Sequence, residues 1–497
     1  MRHLSLFSVA LVLGLTLALV TLFNYPVQAA TTYYVDDDTC PDSGSGTEED
    51  PFCSIQSGIN VASTGDIVEV AAGTYEKITM KSGVVIQGAG QGISIIDGGA
   101  SGSVVTANGV DSSAKLDGFT ITNGNATYGG GMDSINSSPT VSNCTFSGNT
   151  ASYYGGGMRI AFSSPTVTNC TFSGNTSVEN GGGMYNWTSS PTVTNCTFSG
   201  NTSVENGGGM GNNNSSPNVI NCTFSGNSAD YGGGMYNDSS SSPTVTNCTF
   251  SENTAGIEGG GMHSHNYSSP TVTNCTFSGN SADYGGGMVH YDNSTPTVTN
   301  CTFSGNSAVL IGGGMYNGYQ SSSTVTNCTF SGNTVGNYSG GGMYNDTYSS
   351  STVTNCTFSQ NTAGTNGGGM YNNFSSSPTV TNCVLWGGSP DELSSLSSAF
   401  SITYSDIQGG FEGTGNINAE PLFVDPDGPD NIPGNEDDDY HLTADSPCID
   451  TGTSSGAPDT DLEGNTRPQG AGYDMGAYES LLAKIRAMPW LLLLLGY

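Results

Sequence analysis

Between residues 258 and 292 the chain carries three carboxylates, Glu258, Asp283 and Asp292, and three of its five histidines, His263, His265 and His290. Carboxylates and imidazoles are what a general acid and a general base are made from, and a glycoside hydrolase needs two such groups flanking the bond it breaks. The segment holds no Lys or Arg. A lyase base and a uronate clamp are therefore missing. If these six residues are catalytic, the chemistry they predict is hydrolysis of a neutral polysaccharide.

Other groups recur at a similar interval. One acidic residue per interval gives Glu179, Glu205, Asp230, Glu258 and Asp283. Carboxylates stacked about 5 Å apart repel by roughly 0.8 kcal/mol in water, so such a column attracts cations. Ca2+ bridging is one reading and a solvated acidic edge the other. One aromatic residue per interval gives Phe162, Trp187, Tyr267, Tyr291, Tyr319, Tyr348 and Phe374, rings that either stack on sugar faces or seal against one another. Outside the repeats, DPDGPDNIPGNEDDD at 425–439 supplies Asp425, Asp427, Asp430, Glu436 and Asp437, and DTDLEG at 459–464 adds Asp459 and Asp461. Closely spaced Asp among Gly and Pro turns suits an oxygen-rich Ca2+ site, although the EF-hand spacing is not met.

The elements that position these groups follow from the repetition. TNCTFSGNTSVENGGGM at 168–184 returns unchanged at 194–210. Ten Gly-Gly-Gly-Met blocks, ending at Met132 through Met370, alternate with ten cysteines from Cys144 to Cys383, and both series advance by 25 to 28 residues. A period of that size means a solenoid, in which each repeat buries its apolar face against its neighbours. The unit P-T-V-T-N-C-T-F-S-G-N is rich in β-branched residues, alternates polar and apolar, and has no helical stripe. The predicted fold class is all-β, a right-handed parallel β-helix with three short strands and three turns per coil.

In one coil Val167, Cys170, Phe172, Gly182 and Met184 point inward. Asn169 bends the chain and stacks with Asn195 and Asn221 as an amide ladder inside the wall. Tyr185, Tyr236, Tyr316, Tyr344 and Tyr371 point outward, and the glycines before each Met leave a flat floor between the acidic and aromatic loops. The ladder thiols project in parallel, about 4.8 Å apart, too far for disulfides, and are read as small buried hydrophobes. Cys40 and Cys53 can close a loop in an oxidising compartment.

The Gly-Gly-Gly-Met and Phe-Ser-Gly-Asn pairs, the latter at Phe172 to Asn175, resemble the GGA-I and FxxN repeats of chlamydial polymorphic outer-membrane proteins, which are β-helical adhesins. The opening YYVDDDTCPDSGSGTEEDPFCSIQSGINVASTGDIVEVAAGTY and the tail DYHLTADSPCIDTG with DLEGNTRPQGAGYDMGAYE resemble the two ends of bacterial surface proteins that have a pectin-lyase-like β-helix and a choice-of-anchor module. These likenesses imply a β-helix over nearly the whole mature chain and a role at a cell surface.

The expected organisation is a signal peptide at 1–30, an N-terminal cap at 31–66, a β-helix at 67–386 with regular repeats from 119, an Asp/Gly/Pro-rich capping module at 387–479, and an apolar tail at 480–497. The signal reading rests on Arg2 and His3, the apolar run Leu4 to Phe23, and a small-residue end at Ala29-Ala30. The tail, with its run of leucines, suggests association with a cell envelope. Eight Lys and Arg face 42 Asp and Glu, a net charge of -34. That balance excludes nucleic acid as a partner and disfavours polyanionic substrates unless a divalent cation intervenes. The leading expectation is a secreted or cell-surface protein that binds a polysaccharide or cell-surface glycan without chemistry. The alternatives are the hydrolase and a structural surface-layer or filament protein.

Overall fold

The computed structural model describes residues 29–41 and 44–480, so the expected signal peptide up to residue 28 and the apolar tail beyond 480 lie outside the described residues. Three parallel sheets of 15, 14 and 13 strands run along the solenoid. One coil contributes Thr166–Thr168 to the first, Thr171–Ser173 to the second and Met184–Trp187 to the third. Each residue pairs with the same letter one coil on: Val167 with Val193, Phe172 with Phe198, Met184 with Met210. All six side chains are fully buried, as the alternation of the strands predicts.

A fourth sheet of nine strands, from Asn125–Tyr128 to Thr334–Val335, corrects the expectation of three strands per coil. The stretch after Phe-Ser-Gly-Asn reads as a polar loop because its inward residues are small. Ala151, Ser177, Ser203 and Ala229 carry little apolar signal, yet all are buried and stand on strands of this sheet.

The register sets the packing of the core. Phenylalanine rings from Phe146 to Phe358 stack with centroids 4.6 to 4.9 Å apart and planes within 6°. Free aromatic pairs favour offset or edge-on contact; here the strand spacing of about 4.8 Å dictates the stack instead. The ten ladder cysteines are unpaired and buried. They also link coils, since the Cys170 backbone N–H donates to Cys196 Sγ at 3.4 Å, while the Cys170 thiol donates within its own coil to Thr168 O at 3.3 Å. Cys40 and Cys53 form a disulfide with their Cα atoms 5.0 Å apart.

The amide ladder inside the wall is not the one at Asn169. That residue takes a left-handed φ of 53° at an exposed corner, and its Nδ2 donates outside the wall to Asn143 Oδ1 at 3.2 Å. The buried ladder belongs to the Phe-Ser-Gly-Asn asparagines. Gly174 supplies the positive φ, 61°, and Asn175 is free to turn inward. Its Nδ2 donates to Asn201 Oδ1 and to Phe146 O, both at 2.9 Å, while its backbone N–H reaches the same Asn201 oxygen at 3.1 Å.

The ends are closed differently. At the start, Thr32–Val35 already belongs to the first sheet, and helix Ile55–Val61 packs Ile55 and Ile59 into the core at the end of the stack. No helix among the described residues is long and apolar enough to cross a membrane. At the other end the coils run past the expected boundary at 386, through Leu393–Leu396, Ser401–Thr403 and Asp406–Ile407.

The following segment does not simply cap the stack. It folds back along the second sheet, where Asn327, Asn355 and Asn382 donate to Thr460 O at 2.7 Å, Asp474 O at 3.1 Å and Thr453 O at 2.7 Å. Under it the outward Ser331, Thr357 and Ser359 are buried, whereas Ser173 and Ser199 in open coils are half-buried.

The two amide ladders differ in burial, so their loss should differ in cost. Asn201→Ala strands the buried donors of Asn175 and is expected to lower stability by about 3 kcal/mol, at 1 to 3 kcal/mol per unsatisfied group. Asn195→Gly, in the exposed ladder, keeps the left-handed φ of 53° accessible and should cost under about 1 kcal/mol. Urea midpoints check this, and equal shifts would refute the assignment.

Candidate ligand groove

The Gly-Gly-Gly run makes a re-entrant corner between the fourth and third sheets. Gly181 has φ 67°, and a Cβ on Gly182 or Gly183 would lie 2.5 Å from Thr202 O or Gly209 O. The flat glycine floor is thereby corrected, because these glycines are buried in the corner. What lines the outside of the corner is the next residue along. Tyr185, Tyr316 and Tyr344 point away from the coil interior, yet are only 5 to 7% exposed. Neighbouring rings cover them, Tyr185 stacked on Tyr154 of the fourth sheet at 4.7 Å and Tyr344 on Tyr371 at 5.1 Å, so this face is a groove walled by the fourth sheet.

Three rows of side chains line the groove. The floor runs Arg159, Tyr185, Gly211, Tyr236, His263, Val289, Tyr316. One wall, on the fourth sheet, runs Tyr154, Asn180, Asn206, Tyr231, Glu258, Tyr284. The opposite rim carries Trp187, Asn213 and Asp238 in register, with His265 and Tyr291 at the matching places of the next coils. Arg159, the sole Arg or Lys of the regular repeats, closes one end, paired with Asp133 at 2.7 Å and lying 4.3 Å over the Tyr128 ring.

Midway along, Asn206, Tyr231, Tyr236, Glu258, His263, His265 and Tyr291 enclose a cavity of about 320 Å³. His263 Nε2 stands 3.4 Å from Glu258 Oε2, but neither ring nitrogen has the alignment of a hydrogen bond to any protein group. The His263 ring lies against Tyr231 at 5.7 Å and edge-on to Tyr236 at 5.3 Å. Burial pushes this imidazole down to about 3, leaving it neutral, and burial also raises the Glu258 carboxyl. On the rim, His265 Nδ1 meets Asp238 Oδ1 at 3.3 Å. That hydrogen bond raises His265, while Asp238, although burial works against it, is held below its usual value by His265 and Ser239. The site therefore combines a carboxyl raised by burial, an imidazole lowered by burial and a hydrogen-bonded His265–Asp238 pair.

Of the six expected catalytic residues, Glu258, His263 and His265 come together. His290 does not. It pairs in register with Ser264 and Asn317 and is 0% exposed on the interior row, a strand alternation away from the groove. Asp283 and Asp292 also stand elsewhere: Tyr284, not Asp283, is in register with Glu258, and Asp292 occupies a left-handed corner where it accepts from Asn293 Nδ2 at 2.9 Å. Asp238 went unnoticed in the sequence. Its signal is its place one coil before His265.

The acidic column is broken too. Glu179, Glu205 and Asp230 precede the aligned Asn180, Asn206 and Tyr231, but an irregularity sets Glu258 opposite Tyr231. The aromatic column divides among several corner positions. Trp187 and Tyr291 lie on the rim, whereas Phe162, Tyr267, Tyr319, Tyr348 and Phe374 take left-handed φ beyond it and are 48 to 63% exposed. Phe162 meets Trp187 at 4.8 Å and Tyr291 meets Tyr319 at 5.9 Å.

Among the described residues, three ligating atoms within 4.8 Å occur at Asp36, Asp37 and Asp38, not among Asp425, Asp427, Asp430, Glu436 and Asp437. In the C-terminal segment Asp430 accepts from Ile432 N–H at 2.8 Å. The Asp461 carboxylate is filled by the N–H groups of Glu463, Asn465 and Glu479, which makes it a loop anchor. Asp459 contributes its main-chain carbonyl to Arg467.

A family model described as right handed beta helix region matches residues 57–208, 136–285 and 202–330. Similar solved structures include pectate lyase Pel9A, at 16% identity over 91% of this chain and 97% of that one with a TM-score of 0.36. Tailspike protein 3 of bacteriophage CBA120 is 11% identical over 78% and 60%, with a TM-score of 0.43. Polygalacturonase from Erwinia carotovora ssp. carotovora is 11% identical over 79% and 98%, with a TM-score of 0.31. Such values speak of the fold alone. No curated protein sequence matches the chain.

The inward histidine has a measurable consequence. Unfolded, His290 takes up a proton below 6.5; buried, it does so only near 3. The unfolded state binds more protons between those values, so acidification costs up to about 1.4 kcal/mol per pH unit for this group. His290→Asn, which extends the amide row of Asn317, is expected to remove that slope. Unfolding curves at pH 7, 6 and 5 check it, and equal losses for both proteins would overturn the placement.

Proposed function

Because the chain belongs to the right-handed β-helix family, a scaffold whose repeated core leaves function to its outer rows, we propose that the groove holds a neutral glycan chain and that the protein binds such glycans at a cell surface without cleaving them. The observation that carries this is the composition of the 320 Å³ cavity, in which three tyrosines stand beside Asn206, Glu258, His263 and His265. Tyrosine rings offer flat apolar faces to sugar rings, and the polar groups offer both donors and acceptors to hydroxyls. The surplus of carboxylates disfavours uronates. The disulfide between Cys40 and Cys53 supports an exported setting.

A hydrolase is the second reading, favoured by one observation: Glu258 is raised and Asp238 lowered beside the same two histidines. Environments that drive two carboxyls apart in this way separate an acid from a base. Against it, Asp238 is already engaged by His265 and by Ser239 Oγ at 2.9 Å, and three of the six expected groups face elsewhere.

Titration calorimetry with neutral and uronate oligosaccharides tests the proposal. Tyr291→Ala is expected to weaken binding about tenfold, the loss of one stacking ring at about 1.4 kcal/mol. His263→Phe is expected to raise the melting temperature of the free protein, because it removes two buried nitrogens without partners, and to weaken binding as well. Glu258→Gln should still bind. Release of reducing ends by the parent protein, lost in Glu258→Gln, would establish the hydrolase instead.

A further inference from the structure

The first sheet presents a lattice of its own, away from the groove. Thr166 and Thr168 flank the inward Val167, and the same outward pair recurs in register coil after coil as far as Thr379 and Thr381, interrupted once by Asn218 and Ile220. The first threonine of each pair is exposed, and the second is half-buried except for the buried Thr354. Along the stack the hydroxyls repeat at the strand spacing of about 4.8 Å, and across a strand two residues span about 6.7 Å. The result is a rectangular array, two ranks wide and many coils long.

Three further observations bear on what such an array meets. No outward residue of this sheet from Thr140 to Thr381 is charged, although the chain carries a net charge of -34. None is aromatic either, so a sugar ring has nothing to stack on. The C-terminal segment covers the neighbouring second sheet and leaves Thr324, Thr352 and Thr379 exposed. Each threonine is β-branched and held at χ1, so the array is already ordered before it meets a partner. A single hydroxyl grips weakly. Many at fixed spacing add only against a partner that repeats at the same spacing, and a flexible chain does not need constant register over so many coils. The two repeats of the array lie close to those of the oxygen atoms on a prism face of hexagonal ice, a neutral lattice of hydrogen-bond donors and acceptors.

We propose that the threonine face binds ice. The inference is independent of the groove. It is tested with the full chain by measuring the gap between melting and freezing points of a seed crystal and by the uptake of fluorescently labelled protein into growing ice. The parent is expected to open a gap and enter the ice. Thr271→Lys combined with Thr297→Lys, both at exposed positions, should lose at least half of the gap while keeping the parent's circular dichroism and any glycan affinity, and Trp187→Ala should keep the gap. Absence of a gap and of uptake in the parent would overturn the proposal, as would a gap that the lysine variant leaves intact. A parent that shows neither but elutes as a dimer split by the lysine variant would make this face a contact between two copies, which also overturns it.

Discussion

Hydrogen bonding from each coil to the next holds the strands of the three long sheets in register, each residue above its counterpart, and the rest of the molecule depends on that register. It turns one inward phenylalanine into a continuous column of stacked rings and one turn asparagine into a buried chain of amides whose donors are met by the next coil. It also converts variation into geometry. A residue that departs from the repeat appears at a known place in a row, which is how Glu258, His263 and His265 come to line one cavity with Tyr231 and Tyr236 of the coil before.

Charge follows the same division of labour. The carboxylates of the repeats lie on or beside the fourth sheet and the groove, while the outward face of the first sheet is neutral from Thr140 to Thr381. A strongly acidic chain thus keeps one long surface free of ions. The groove draws opposite electrostatic results from its few charged groups. Burial pushes the imidazole of His263, on the floor, down, whereas the hydrogen bond to Asp238 pushes that of His265, on the rim, up. Two histidines separated by one residue share the outward face and differ because one is buried on the floor and the other stands half-exposed on the rim.

Much of this was legible in the sequence, and the exceptions share a cause. The period, the strand character, the inward Val167, Phe172 and Met184, and the Cys40 to Cys53 pair follow from spacing and alternation, which large apolar residues mark plainly. The fourth sheet was not legible because its inward residues, Ala151 and Ser177 among them, are too small to announce burial. Asn169 and Asn175 look alike as letters, and only the backbone signs at Asn169 and Gly174 decide which amide turns inward. His290 seemed a groove residue because it lies near Asp292 in the chain, but counting strand positions from Met288 puts it on the interior face. The five-residue acidic column failed where one coil, at Glu258, is irregular. A column inferred by spacing survives only while every coil has the same length between fixed points.

The segment that folds back over the second sheet changes where the solenoid is weakest. In a stack of near-equal coils the terminal ones have a neighbour on one side only, and separation ordinarily begins there. Here a helix is packed into the first end, and ties from Asn327, Asn355 and Asn382 to residues 453 to 474 bind the last coils to one another. The coils left with no support beyond their immediate neighbours are those in the middle, and they are the ones that form the cavity. Anything lying lengthwise in the groove spans several of those joints at once and acts on them as a splint, so occupancy and mechanical endurance of the rod become one property.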